Sequence, residues 1–111
     1  MDVRTERIGR NEDLFRKVND QIEGVNEAFG TITGTMSILC ECGNSSCTEQ
    51  ITVTLPEYER IRSDSELFFV CSGHEQADVE EVREQHGDYD VVRKKAGEAA
   101  ELAHELDPRD Q

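Results

Sequence analysis

The residues best suited to chemistry are four cysteines and one histidine, all in the middle third of the chain. They are Cys40, Cys42, Cys47, Cys71 and His74. The first three form a C-x-C-x4-C pattern, and the other two begin and end the tetrapeptide Cys-Ser-Gly-His. Thiolates and imidazoles are the ligands of tetrahedral zinc, and three cysteines with one histidine form one of its common structural sites. The spacing therefore predicts a zinc site.

Five candidates compete for four ligand positions. We predict the following four: Cys40, Cys42, Cys47 and His74. Gly73 lets the backbone bend and turn His74 towards the three cysteines. Cys71 is the alternative fourth ligand, but it ends an apolar segment and can equally be a small buried hydrophobic residue. A site closed by four protein ligands is typical of a structural metal, whereas a catalytic zinc keeps a position for water.

Little else in the sequence indicates catalysis. Glu41, Glu49 and Glu75 flank the metal candidates, and we interpret them as solvated charges or hydrogen-bond partners rather than as general acids or bases. His86 and His104 are expected on an exposed turn and an exposed helix. The chain contains no G-x-S-x-G, no phosphate-binding glycine loop and no H-E-x-x-H motif. We therefore expect a protein that is not an enzyme.

Composition favours one small domain that gains from a metal. The chain has 111 residues, of which 35% are hydrophobic, and it has no tryptophan. A short, polar chain buries a modest fraction of its surface. The free energy of binding a structural zinc adds directly to the free energy of folding. We expect a single zinc-stabilised domain over residues 1–111.

The charge balance is strongly acidic. There are 12 basic and 25 acidic residues, which gives a net charge of -13, and no segment of the chain is basic. Proteins that bind nucleic acid usually carry a basic face because phosphate contacts dominate their affinity. Direct binding of nucleic acid is therefore disfavoured. An acidic surface suits solubility or a basic protein partner.

The start of the sequence is charged and lacks the apolar segment of a secretory signal, and no segment is long and apolar enough to cross a membrane. We expect a cytoplasmic protein. Thiols stay reduced in the cytoplasm, so clustered cysteines there indicate metal or redox chemistry more often than disulfides.

A long amphipathic helix is predicted over residues 6–29, ended by Gly30. Its apolar residues recur every three or four positions: Ile8, Phe15, Val18, Ile22, Val25 and Phe29. This stripe has two interpretations. It packs against a sheet as an ordinary core helix, or it forms a short coiled-coil seam that makes a weak homodimer.

The remaining pattern predicts an α+β fold with a small, mostly antiparallel sheet and short helices. Strands over 36–42 and 50–55 form a hairpin whose loop carries Cys42 and Cys47. Thr54 caps a helix that runs to about Arg62. The apolar residues 67–71 predict a central strand. Further segments predict a second hairpin over 79–86 and 89–94, whose first part could equally be helical, and a last helix over 97–106.

Several motifs together resemble a family of small bacterial proteins of about this length, for which no activity is established. They are Arg10-Asn11-Glu12, Cys40-Glu41-Cys42-x4-Cys47, Thr54-Leu55-x-Glu57-Tyr58, Gly73-His74-Glu75 and Gly97-Glu98-Ala99-Ala100. The resemblance spans nearly the whole chain. In that family the Gly-His-Glu tripeptide recurs and a cysteine at position 71 is not required. The resemblance therefore implies that His74 is the fourth ligand.

These observations favour a small acidic zinc-binding protein that acts as a protein-interaction or regulatory module. A zinc-thiolate redox sensor is the alternative, because oxidation of metal-bound thiolates would release the ion. A zinc-dependent hydrolase is less favoured. An iron–sulfur protein is also less favoured, because a long segment separates Cys47 from Cys71.

Overall fold

The structure, a computed structural model, describes residues 3–107 and 109, and the side chains in that range except those of residues 26–33. The elements in chain order are α1 (Val3–Thr33), β1 (Thr35–Leu39), β2 (Gln50–Thr54), α2 (Leu55–Arg62), β3 (Leu67–Cys71), β4 (Glu80–Gln85), β5 (Tyr89–Lys94) and α3 (Glu98–Leu106). This order confirms the predicted α+β class, with a long N-terminal helix and a hairpin that carries the cysteines.

The strands form two antiparallel sheets rather than one. β1 pairs with β2, and the second sheet has the order β3-β5-β4. The strand predicted to be central, β3, therefore lies at an edge of its sheet. Its exposed edge is met by the residues that follow β1, since the Glu41 N–H donates to the Phe69 carbonyl at 2.7 Å. This contact connects the cysteine hairpin to β3.

The buried face of α1 is polar, contrary to the predicted apolar stripe. Its buried residues between positions 12 and 23 are Glu12, Asp13, Arg16, Asn19 and Glu23. Arg16 donates to the carbonyl of Ser65 at 2.7 Å and to that of Ala103 at 3.1 Å. Its guanidinium carbon also lies 4.2 Å from the centre of the Phe68 ring. Polar contacts therefore attach the helix to the rest of the domain.

The predicted stripe lies beside this buried row rather than on it. Ile8 is buried, three members are partly buried, and Val25 is 74% exposed; Phe29 falls outside the described side chains. Successive residues turn by about 100° around a helix, so the stripe is rotated roughly a quarter turn from the polar row. The helix also continues past Gly30 to Thr33, where Gly34 follows with a φ of 81°.

The core lies between the two sheets and α2. The Tyr58 ring stacks on Phe69 at 5.6 Å between centroids, and its hydroxyl donates to Asp20 at 2.7 Å. α2 begins as predicted, because the Thr54 hydroxyl accepts from the Glu57 N–H at 3.1 Å. The predicted second hairpin is formed by β4 and β5, and their turn contains Gly87 with a φ of 86°.

A buried lysine joins α1 to the second sheet. Lys94, at the end of β5, pairs with Glu12 of α1 and, at 3.0 Å, with Glu80 of β4. All three side chains are almost completely buried. Burial, opposed by Lys94, holds the pKa of Glu12 well above its ordinary value. Removing the cation would leave two buried carboxylates facing each other.

We expect Lys94→Met to lower the free energy of unfolding by about 3–5 kcal/mol, because it removes one partner of a buried ion pair. Urea unfolding followed by circular dichroism measures this change. Lys95→Met is the matched control, since Lys95 is the exposed neighbour and surface substitutions usually stay within about 0.5 kcal/mol. Equal stability of the two variants would show that the Lys94 ion pairs do not hold the helix.

Candidate metal centre

The loop of the first hairpin brings its cysteines close together in space. Cys40 extends the ladder beyond β1 by donating its N–H to the Glu49 carbonyl at 2.9 Å. Asn44 then closes a tight turn: its carbonyl accepts from the Cys47 N–H at 3.0 Å, and its side chain accepts from the Ser46 N–H at 2.9 Å. The turn returns Cys47 to Cys40 and Cys42.

α1 supports this loop from behind. Gly43 lies against Ile8, where a Cβ atom at position 43 would come within 2.5 Å of the isoleucine Cγ2. The Asn11 side chain donates to the Gly43 carbonyl at 3.0 Å. A larger residue at position 43 would push the loop away from the helix. The glycine therefore allows the close approach that fixes the loop.

His74 approaches the cysteines from the turn after β3. Its N–H donates to the Cys71 carbonyl at 2.9 Å, and Gly73 has a φ of 84°, which favours glycine. The imidazole Nδ1 then lies 3.6 Å from the sulfur of Cys40 and 3.8 Å from that of Cys47. The histidine predicted as the fourth ligand is thus at the cysteine cluster.

The four predicted ligands form one cluster. One ligand atom from each residue of the set lies within 4.8 Å of every other: Cys40, Cys42, Cys47 and His74. Cys40 and Cys42 are buried, and the other two are partly buried. A cluster of this size and donor type is able to hold a metal ion. Its assignment as the ligand set stays a prediction.

Cys71 is close to this cluster but outside it. Its sulfur belongs to a second group, with Glu49 and His74, whose ligand atoms also lie within 4.8 Å of one another. The Cys71 N–H donates to the sulfur of Cys40 at 3.2 Å. A hydrogen bond of this kind stabilises negative charge on the accepting sulfur. Cys71 therefore supports Cys40 through its backbone, and it stays the alternative fourth ligand.

Burial keeps the thiols of Cys40, Cys42 and Cys71 protonated when no metal is bound. It raises the pKa of Cys40 and of Cys42 to about 12, and that of Cys71 to about 11. The thiolate is the form that binds metals and reacts with oxidants. A metal that binds here must displace protons from the sulfurs, so its affinity falls as the pH falls.

The acidic residues around the cluster have different roles. Glu49 Oε2 lies 3.2 Å from His74 Nε2, where it can orient the ring with Nδ1 towards the sulfurs. Glu41 points away from the sulfurs and is fully buried; it accepts hydrogen bonds from the Asn19 side chain and from the Phe69 N–H. Burial raises the pKa of Glu41 to about 7. Of the two interpretations offered by the sequence, a solvated charge or a hydrogen-bond partner, Glu41 is therefore not the solvated charge: it is a buried hydrogen-bond acceptor.

The other two histidines do not contribute to this cluster. His86 lies near Glu57 and Glu84, and Arg60 already neutralises both carboxylates with hydrogen bonds of 2.7 Å and 2.6 Å. His104 contacts Ser65 and Glu66 instead. The Glu57–Glu84–His86 group is therefore an ion-pair network around Arg60, and it is a poor candidate for a second metal site.

No protein-family model, curated protein or solved structure matches this chain. The resemblance to a bacterial family stays a prediction from the sequence. Across the described residues, no helix combines enough length with enough apolar residues to span a bilayer.

We expect His74→Ala to weaken Zn²⁺ binding by more than about a hundredfold, because loss of a ligand should exceed the 10–100-fold cost of losing an outer partner. Cys71→Ser should weaken Zn²⁺ binding by less than about tenfold, because the hydrogen bond from the backbone N–H of residue 71 to the Cys40 sulfur is retained. Competition with a chromophoric chelator measures both affinities. His86→Ala is the control for loss of a histidine elsewhere. A larger loss in Cys71→Ser than in His74→Ala would make Cys71 the fourth ligand.

Proposed function

We propose that this protein is a non-enzymatic interaction module whose fold is held by one structural zinc ion. The observation that carries the proposal is the convergence of three sulfurs and one imidazole nitrogen within 4.8 Å of one another. In this proposal the zinc ligands are Cys40, Cys42, Cys47 and His74. These residues would hold the ion between the hairpin loop and the turn that follows β3, and the bound ion would tie the two together.

The donor set supports zinc over other ions. Calcium and magnesium prefer oxygen ligands, whereas a site of three sulfurs and one nitrogen suits zinc. Four protein donors would fill a tetrahedral shell and leave no position for water, which argues against a hydrolase. The Glu49 carboxylate beside the cluster faces the distal nitrogen of His74 and therefore serves to orient that ligand.

A structural role agrees with how the site connects the fold. Cys40, Cys42 and Cys47 belong to the β1–β2 hairpin, whereas His74 follows the edge strand of the other sheet. The hydrophobic core includes residues of both sheets, and the backbone hydrogen bond from the Glu41 N–H to the Phe69 carbonyl also joins them. A metal bound by residues from both sheets would therefore add a further tie between them at the hairpin loop.

The interaction role rests on the charge of the surface. The chain has a net charge of -13, and its described cations are largely occupied by carboxylates; examples are the pairs of Arg60, Arg62 and Arg93. Such a surface attracts basic partners and repels nucleic acid. We infer that the partner is a basic protein.

We expect the purified protein to contain about one zinc ion per chain, measured by mass spectrometry of the metal. Removal of zinc with a chelator should lower the melting temperature by more than about 10 °C, since each kcal/mol shifts a domain of this size by about 4–8 °C. Re-addition of Zn²⁺ should restore it, and Mg²⁺ should not. Free thiols with no bound metal in protein purified under reducing conditions would contradict the proposal.

A redox sensor is the second candidate, and the position of Cys71 favours it. This fourth cysteine lies beside the cluster, with its backbone N–H on the sulfur of Cys40. If peroxide oxidises the zinc thiolates, we expect zinc release that a thiol reductant reverses and that Cys71→Ser slows by at least about twofold. A zinc-binding dye follows the release. Zinc retained at peroxide concentrations that oxidise free cysteine would exclude the sensor.

A further inference from the structure

One buried carboxylate differs from all the others in the described residues. Seven acidic residues are buried there: Glu12, Asp13, Glu23, Glu41, Glu80, Asp90 and Asp107. Six of them pair with a cation or accept N–H donors. Within residues 3–107 and 109, Asp90 receives no hydrogen bond at its carboxylate and forms no ion pair. Its two oxygens are nevertheless not among the fully enclosed unpaired atoms, so they remain accessible from outside, where a ligand cation could pair with them.

Asp90 lines a pocket at the end of the three-stranded sheet. It lies on β5 opposite Val70 and Gln85, and it is 5% exposed. The pocket has a volume of about 490 Å³ and is also lined by Glu75 and Val82. Pockets of this size accept small ligands or side chains.

The second carboxylate of the pocket also lacks a partner. Glu75 Oε2 is buried, and among the described residues no donor reaches it. Two carboxylates without cations therefore face one pocket, together with the neutral polar side chains of Ser72 and Gln85. Elsewhere in the protein, arginine or lysine fills such positions, as Lys94 does between Glu12 and Glu80.

We propose that the pocket between Glu75 and Asp90 binds a guanidinium or ammonium group on a side chain of a basic protein partner. A planar guanidinium can donate to both carboxylates, and charge-assisted bonds of this kind are the strong ones. Val82 provides an apolar wall for the methylene stem of the side chain. This inference rests on the proposed function in one respect, because it identifies where an interaction module receives its partner.

The metal cluster and this pocket share one short loop. His74 faces the sulfurs, while Glu75, the next residue, contributes to the pocket. Gly73 and Glu75 line both this pocket and the smaller one beside the cluster. The pocket nevertheless consists of residues distinct from the four predicted ligands, so its binding can be tested in protein whose zinc content is known.

The test is a titration of the zinc-loaded protein with a capped Gly-Gly-Arg-Gly-Gly peptide at low salt, followed by amide chemical shifts. We expect saturable shifts at Gly73, Glu75, Gln85 and Gly87. The same peptide with citrulline in place of arginine keeps the shape without the charge, and it should bind at least about tenfold more weakly. A lysine peptide distinguishes an ammonium from a guanidinium as the preferred group.

Asp90→Asn and Glu75→Gln should each weaken the arginine peptide by about tenfold or more, because each removes one charged acceptor without changing shape. Asp88→Asn is the matched control: it removes one charge from the adjacent exposed turn and should change the affinity less than twofold. Equal weakening of peptide binding by all three variants would mean that the acidic surface attracts the peptide without a specific site. That result would overturn the proposed binding pocket.

Two further outcomes would also overturn the inference. One is equal binding of the arginine and citrulline peptides. The other is saturation of the same amides by Ca²⁺ alone with no response to either peptide, which would make the pocket an ion site. Zinc is measured in every sample. Failure of the peptide to bind zinc-loaded protein leaves the structural metal intact, whereas absence of zinc contradicts the proposed function independently of the pocket.

Discussion

The buried carboxylate of Glu41 is the point at which the helix and the two sheets meet. It accepts from the Asn19 side chain of α1 at 2.8 Å and from the Phe69 N–H of β3 at 3.0 Å. Its own backbone N–H returns a bond to the Phe69 carbonyl. Asn19 also bonds the N–H and the carbonyl of Leu39, at the end of β1. Because Glu41 lies between Cys40 and Cys42, these bonds also fix the thiols relative to both sheets.

Polar contacts of this kind attach α1 to the rest of the domain, where a hydrophobic interface is usual. Arg16, Arg62 and Lys94 are buried, and each binds carboxylates or carbonyls from distant parts of the chain. Buried ion pairs contribute little net stability compared with apolar packing, but removing one partner is expensive. They therefore favour one arrangement of α1 over its neighbours. In such an interior, a metal that supplies folding free energy has a clear physical use.

Local signals in the sequence predicted the local parts of the structure. The C-x-C-x4-C spacing and the turn residues between the cysteines indicated the hairpin, and Thr54 marked the start of α2. The orientation of α1 could not be predicted in this way. Its apolar stripe has the regular spacing that normally marks the buried face of a helix, yet the buried face is polar. Glu12, Arg16 and Asn19 have the same helical spacing, but their partners lie far away in the sequence. The edge position of β3 was missed for a similar reason, since Glu41 substitutes for a neighbouring strand.

Asp90 could not be identified from the sequence because its distinguishing property is the lack of a partner. A chain with 25 acidic residues offers no local reason to select one of them. Only the three-dimensional pairing shows that the buried cations are already used by other carboxylates. The loop from Ser72 to Gln76 joins this pocket to the Cys–His cluster, since His74 lies at the sulfurs and Glu75 lines the pocket. A metal that holds His74 would restrict the backbone of its neighbour, so one tie would stabilise the fold and pre-organise a wall of the pocket.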